Sequence, residues 1–284
     1  MLVITPQDIA GTGRDRMVGD GSAHAMCYLA EEDGCGFSFS TLEIAGGSKG
    51  FPLHYRNHIE VNLVLEGKGE IHNLETDERW PASPGTLYVI GPADRHEVAL
   101  KGDVKVVSLF NPPIKGNEHH QDFGGYPPSG EIPAAWGPAG GSPTSRRMFV
   151  KQLADIPVVT LGGGRAEARR YLTRADDVGM TLSDLRAQPG GEATLWYKNH
   201  VEANFVVSGK GEVTELATGK TWPLVPGTLY VVGPKDRHRV TNTDGLHILS
   251  IFNPPLVGGE THDADGAYPP TGEIPEAWRR RTRT

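Results

Sequence analysis

The chain lacks the features that would commit it to a membrane, a nucleic acid or a disulfide framework. No apolar run approaches the roughly 18 residues that span a bilayer. The opening residues, MLVITPQDIAGTGRDR, do not follow the basic-then-apolar order of a secretory signal, so a cytoplasmic protein is expected. Cysteine is scarce: Cys27 and Cys35 alone cannot build a disulfide framework, and small buried residues are the expectation for both. A basic face is missing as well. The formal net charge is -7, and the basic run RRRTRT is short and terminal, which argues against nucleic acid as a partner. With no membrane partner either, a small-molecule ligand is the expected one.

What is abundant is glycine, 37 residues, and proline, 22, punctuating short apolar segments. EVNLVLEG, GTLYVIG and VKVVSLF in the first half return as EANFVVSG, GTLYVVG and HILSIF in the second. Short runs rich in Val, Leu, Ile, Phe and Tyr, bounded by turn residues, read as strands. Many of them with little helical periodicity indicate a sandwich or barrel. Some helix is expected ahead of each barrel, as in AEARRYLTRAD, residues 166–176.

The chain also contains itself twice. HYRNHIEVNLVLEGKGEI matches WYKNHVEANFVVSGKGEV, and SPGTLYVIGPADRH matches VPGTLYVVGPKDRH. The pairs Glu60 and Glu202, Tyr88 and Tyr230, His96 and His238, and His120 and His262 share one offset, half the 284-residue length. A period so long marks a duplicated domain, since solenoid repeats run to roughly 20–50 residues. Residues 137–145, GPAGGSPTS, have linker composition, so domains of 1–140 and 141–284 are expected.

Two signatures per half resemble the cupin superfamily. One is Glu60 with Gly67, repeated as Glu202 with Gly209. The other is Pro84-Gly85, Tyr88 and His96, repeated as Pro226-Gly227, Tyr230 and His238. The implied fold is all-β: tandem double-stranded β-helix (cupin or jelly-roll) barrels, a bicupin, with alternate strand residues converging inside. The usual cupin pair of metal-binding histidines is absent, its positions being Leu53 and Tyr55, and Leu195 and Tyr197.

The longer series HYRNHIE, EGKGE, PGTLYV, DRH and FNPP-x-x-G-x-E-x-H, then GGYP or GAYP, resembles ectoine synthase in order and spacing over residues 24–128 and 167–270. That resemblance implies an Fe(II) site in each half: Glu60, Tyr88 and His96, and Glu202, Tyr230 and His238. Carboxylate, phenolate and imidazole suit a hard to borderline divalent ion. It implies substrate contacts at Tyr55, Thr86 and Phe110, and at Arg170, Tyr197, Thr228 and Phe252. His58, Glu118 and His120, and His200, Glu260 and His262, are then the groups available for proton transfer. The implied reaction is a hydro-lyase ring closure of N-γ-acetyl-2,4-diaminobutyrate or a related N-acyl diamino acid.

The halves also depart from the family. The family's arginine survives as Arg170, but its first-half position is Cys27. The first pocket is therefore expected to lack the planar fork that clamps a carboxylate. His54 is matched by Trp196, so pockets of different shape and polarity are expected. Two other readings stay open: a metal cupin with dioxygenase or hydrolase chemistry, and a non-catalytic bicupin that binds a small molecule. The family forms dimers of single barrels, so the fused halves are expected to reproduce that pair within one chain, alone or as a homodimer of the chain.

Overall fold

The computed structural model describes residues 1–19, 21–47, 52–122, 124–137 and 145–281. It is built from short strands in two compact units, Ile9–Asp155 and Met1–Asp8 with Ile156–Thr284. In the first of these a seven-stranded sheet runs in the order Phe149–Gln152, Thr86–Ile90, Ile59–Glu66, Val104–Asn111, Ser38–Ile44, Ala23–Leu29, Asp15–Val18. A three-stranded sheet of Arg79–Ala82, Gly69–Asn73 and His96–Leu100 completes it. The second unit repeats this arrangement with longer strands, Val201–Glu215 and His238–Asn253, that carry both parts in one nine-stranded sheet. Such a barrel encloses room for one small ligand.

Strand Ile59–Glu66 shows how sequence makes the barrel. Its two faces are both buried, which accounts for the nearly continuous apolar run IEVNLVLE. Glu60, Asn62 and Val64 face the cavity, while Val61 and Leu63, at 0% and 2% exposure, pack behind it. The strand ends where Gly67 takes a φ of +88°, and a Cβ there would stand 2.3 Å from the Asp103 carbonyl oxygen. Only glycine fits that backbone and that approach.

The Trp of each EIP-x-x-W segment closes one side. Trp136 and Trp278 are fully buried, and their rings cover Gly91 and Gly233, where a Cβ would fall 2.3 and 2.6 Å from ring carbons. The segment 166–176 is no helix. Ala166–Leu172 is a strand held by Val158–Leu161 on one side and Thr181–Ala187 on the other, and only Arg174–Asp176 forms a short 3-10 turn. Pairing on both edges overrides its helix-forming composition.

The compact units do not coincide with the two repeats. Phe149–Gln152 opens the second repeat but pairs with Thr86–Ile90 of the first, setting Val150 opposite Tyr88. Leu2–Ile4 opens the first repeat but pairs with Leu229–Val232, setting Val3 opposite Tyr230. Each barrel therefore has its sheet edge covered by the leading arm of the other repeat. A division at 140/141 follows the repeat; the units divide after Asp155, with Met1–Asp8 counted in the second. Residues 138–144 of the expected linker lie outside the described residues.

Candidate active site

In the first unit Glu60, Tyr88 and His96 line one cavity of about 150 Å³, together with Tyr55, Asn62, Ser108, Phe110, His120 and Tyr126. The register explains the convergence. Asn62 stands opposite both Tyr88 and Ser108 on flanking strands, so the side chains beside Glu60 share its face. Ser108 Oγ donates to Glu60 Oε1 at 3.1 Å. Burial raises the Glu60 carboxyl to about 7, against the lowering effect of its hydrogen bonds from Asn62 and Ser108. Burial also raises the Tyr88 phenol and holds His96 down at about 3, neutral at ordinary pH.

The second unit repeats the site around a cavity of about 190 Å³ lined by Glu202, Tyr230, Tyr197, Asn204, Ser250, Phe252, His262, Tyr268 and Arg170. Ser250 Oγ donates to Glu202 Oε1 at 2.8 Å, and burial again brings the carboxyl to about 7. His238 is fully buried, with its ring centre 6.3 Å from that of Tyr230, but it is not among the lining residues.

Two buried polar atoms in the second set lack a partner. Among the described residues, Glu202 Oε2 and His238 Nε2 are buried without a hydrogen bond, while His238 Nδ1 donates to Asp236 O at 3.0 Å and His96 bonds the matching Asp94 backbone. Such atoms are costly in an apolar wall, and a cation would satisfy them. Among the described residues no three His, Cys, Asp or Glu side chains group as ligands. The candidate set instead combines one carboxylate, one phenol and one imidazole, donors that fit a divalent ion such as Fe(II).

A second cluster lines each cavity. Tyr55 Oη lies 2.9 Å from His120 Nε2, and His120 stacks on Tyr126 with centroids 4.7 Å apart. Tyr197, His262 and Tyr268 repeat this, with 3.1 Å for the polar contact and 4.3 Å for the stack. Burial lowers His120 to about 4 and lowers His262.

Other expected residues lie off the cavities. His58 and His200 are fully buried and reach Ser129 Oγ at 2.9 Å and Thr271 Oγ1 at 3.0 Å. The carboxylates of Glu118 and Glu260 hold their own loops: Gly116 N–H donates to Glu118 at 2.8 Å and Gly258 N–H to Glu260 at 2.9 Å, with Lys115 and Val257 N–H on the other oxygens. Thr86 Oγ1 donates to Gln152 Oε1 on the leading arm at 2.8 Å, and Thr228 Oγ1 accepts from Val225 N–H at 3.4 Å.

Two expected differences between the pockets are not found. His54 and Trp196 line neither cavity; each bonds the same carbonyl of its unit, Pro92 O at 2.8 Å and Pro234 O at 2.7 Å. Nor does the first pocket lack a guanidinium. Cys27 is buried and uncharged, its thiol pushed up to about 11 by burial, but Arg16 on the neighbouring strand lines the same wall. Its signal was a lone Arg in DRMV, legible only once that strand's partner is known. Asn62, Asn204, Ser108 and Ser250 were also missed, although Glu60 with Asn62, two apart in a strand, share a face by simple alternation.

Two strand-built barrels, each with a Glu and a Tyr on its cavity and a buried His close by, define the class: a bicupin. Its fold is shared by the 7S globulin of Momordica charantia, with a TM-score of 0.65 and 14% identity over 92% of this chain and 88% of that one. A variant of Bacillus subtilis oxalate decarboxylase gives 0.63 and 14% identity over 91% and 78%. The chain belongs to the ectoine synthase family, whose sequence model matches residues 1–130 and again 148–272. L-ectoine synthase of Oceanobacillus iheyensis is 42% identical over 124 residues, 43% of this chain and 97% of its own length. That of Desulfatibacillum aliphaticivorans is 42% identical over 126 residues, again 43% and 97%.

Proposed function

We propose that the chain is a ring-closing hydro-lyase, acting on N-γ-acetyl-2,4-diaminobutyrate or a close N-acyl diamino acid in the cytoplasm. The observation that carries this reading is the recurrence, in both units, of a buried acid and phenol on a largely apolar cavity of small-metabolite size, with His96 and His120 lining the first cavity and His262 the second. Fe(II) would be held by Glu60, Tyr88 and His96, and by Glu202, Tyr230 and His238. When bound it supplies a Lewis acid that polarises the acyl carbonyl.

The chain's own residues do the rest. The ring closes as the free amine nitrogen bonds to the acyl carbon and the carbonyl oxygen departs as water, carrying protons taken from nitrogen. Phe110, Tyr126 and Val106, or Phe252, Tyr268 and Ile248, form apolar walls that hold the substrate folded and exclude bulk water. Bringing amine and carbonyl into contact supplies several kcal/mol, of a possible ~7–11, before any chemical catalysis. His120 with Tyr55, and His262 with Tyr197, are the hydrogen-bonded pairs on the cavity walls that can pass the amine proton toward the leaving oxygen. The direct test is incubation of Fe(II)-loaded protein with N-γ-acetyl-2,4-diaminobutyrate, followed by NMR. Appearance of the cyclic amidine supports the reading; no product from it or from close analogues overturns it. Neither nucleic acid nor membrane enters this scheme.

A further inference from the structure

We propose that Arg16 recognises the anionic group of the ligand in the first pocket, taking over from one strand away the part that Arg170 plays in the second. Both pockets would then take a carboxylate-bearing ligand, an inference that rests on the cyclase reading for the ligand's identity.

The register fixes the comparison. Cys27 stands opposite Ser40, and Arg170 stands opposite Ser183, so these two positions are equivalent. Arg16 stands opposite Ala25, and Val159 opposite Ala168, so these two are equivalent as well. Between the units the guanidinium has changed places: arginine then cysteine in one, valine then arginine in the other. The strands involved are adjacent, roughly 4.8 Å apart, a step that an arginine side chain spans.

Both guanidiniums finish at the same place. Arg170 Nη1 donates to Gly258 O and to Glu260 Oε2 at 3.2 Å, and its Nη2 donates to Glu260 O at 3.4 Å. Arg16 Nη1 donates to the matching carbonyl, Glu118 O. Each lines its cavity beside the matching histidine, and each helps hold that histidine's pKa down, His120 in one unit and His262 in the other. Arg14, another guanidinium on the first wall, is engaged with Glu32 at 2.5 Å and Asp33 at 2.9 Å. Loss of a charge at one position and gain at its neighbour is what retention of an anion site requires. Drift toward an uncharged ligand would need only the loss.

The test is calorimetric titration of the full chain with N-γ-acetyl-2,4-diaminobutyrate and with its α-carboxamide. The native chain is expected to bind two equivalents of the carboxylate. Arg16→Val should weaken one site by about ten- to hundredfold, the range for a hydrogen bond to a charged group, and leave the other unchanged. Adding Cys27→Arg should restore it. Arg16→Gln keeps a donor for Glu118 O while removing the charge, and should lose affinity as Arg16→Val does. The carboxamide should bind weakly and be indifferent to all three variants. Unchanged affinity in Arg16→Val, equal weakening of carboxylate and carboxamide, or fewer than two equivalents on the native chain would overturn the inference. Turnover is read separately: two-site, Arg16-dependent binding without ring closure would overturn the cyclase reading alone.

Discussion

Tyr55 and His120 meet on the wall of the first cavity with Oη and Nε2 2.9 Å apart, and Tyr197 and His262 repeat the contact at 3.1 Å. These tyrosines occupy positions where a metal-binding histidine stands in the usual cupin motif. In the proposed mechanism the position serves a proton-carrying pair rather than a ligand. Tyr55→Phe removes one hydroxyl and no packing, so stability should fall by only about 1 kcal/mol. Turnover should drop by about half in Tyr55→Phe or Tyr197→Phe alone, and by roughly a hundredfold when both are combined, the low end for a lost acid–base group. Steady-state kinetics and thermal unfolding on the three variants check this.

Metal stoichiometry separates the two barrels. Two ions per chain are expected after anaerobic loading with Fe(II), falling to one in Glu60→Ala or Glu202→Ala and to none in the double variant. Plasma emission analysis of the desalted protein reads the count directly. An unchanged count in the double variant would exclude these carboxylates as ligands.

Stability should depend on pH in two opposed ways. His58, His120 and His200 are lowered by burial from 6.5 to about 4, and His96 to about 3. The unfolded chain therefore binds more protons at these sites below 6.5, and the stability they contribute is lost as pH falls from there toward 4. Glu60 and Glu202 act in reverse. Burial raises them from 4.5 to about 7, so their contribution is present at pH 4.5 and lost as pH rises through 7. His54, His238 and His262 are lowered by burial as well, and Asp94 is raised by it, so seven histidines stand against three carboxyls; the metal-free melting temperature should climb between pH 4.5 and 6.5, then flatten or dip toward 7.5. Glu60→Gln with Glu202→Gln should steepen the climb and remove the dip, as scanning calorimetry over that range will show.

Gly209 has a φ of +94°, and a Cβ there would stand 1.9 Å from the Gly245 carbonyl oxygen. Gly209→Ala should therefore cost more than about 2 kcal/mol, from the backbone conformation and the forced strand separation together. Gly47, also at positive φ but with nothing near its side-chain position, should lose less on the same change. Urea unfolding of the two variants provides the comparison.

Much of the fold could be read from the sequence, because strands such as EVNLVLEG and GTLYVVG carry their pairing chemistry locally and turn residues mark their ends. AEARRYLTRAD misled because Ala, Arg and Leu favour helix, whereas its strand state is imposed by neighbours on both edges. The leading arms gave no signal at all: what pairs Val3 with Tyr230 is an edge more than two hundred residues away. In the site, Glu60, Tyr88 and His96 were legible as motif residues. Arg16 was not, since its role depends on which strand lies beside Cys27. His54 and Trp196 looked like opposites by composition, yet each donates a ring N–H to the equivalent carbonyl of its unit, which two quite different rings can reach.

The crossed leading arms have an evolutionary corollary. Two identical chains exchanging such arms would carry every substitution twice, once per barrel, so a change tolerated in one pocket would have to be tolerated in both. Joined in a single polypeptide, the arm meets its edge without a concentration-dependent encounter, and each barrel is written by its own codons. An arginine can then migrate across a ladder in one lobe while staying put in the other, and the lobes are at liberty to specialise.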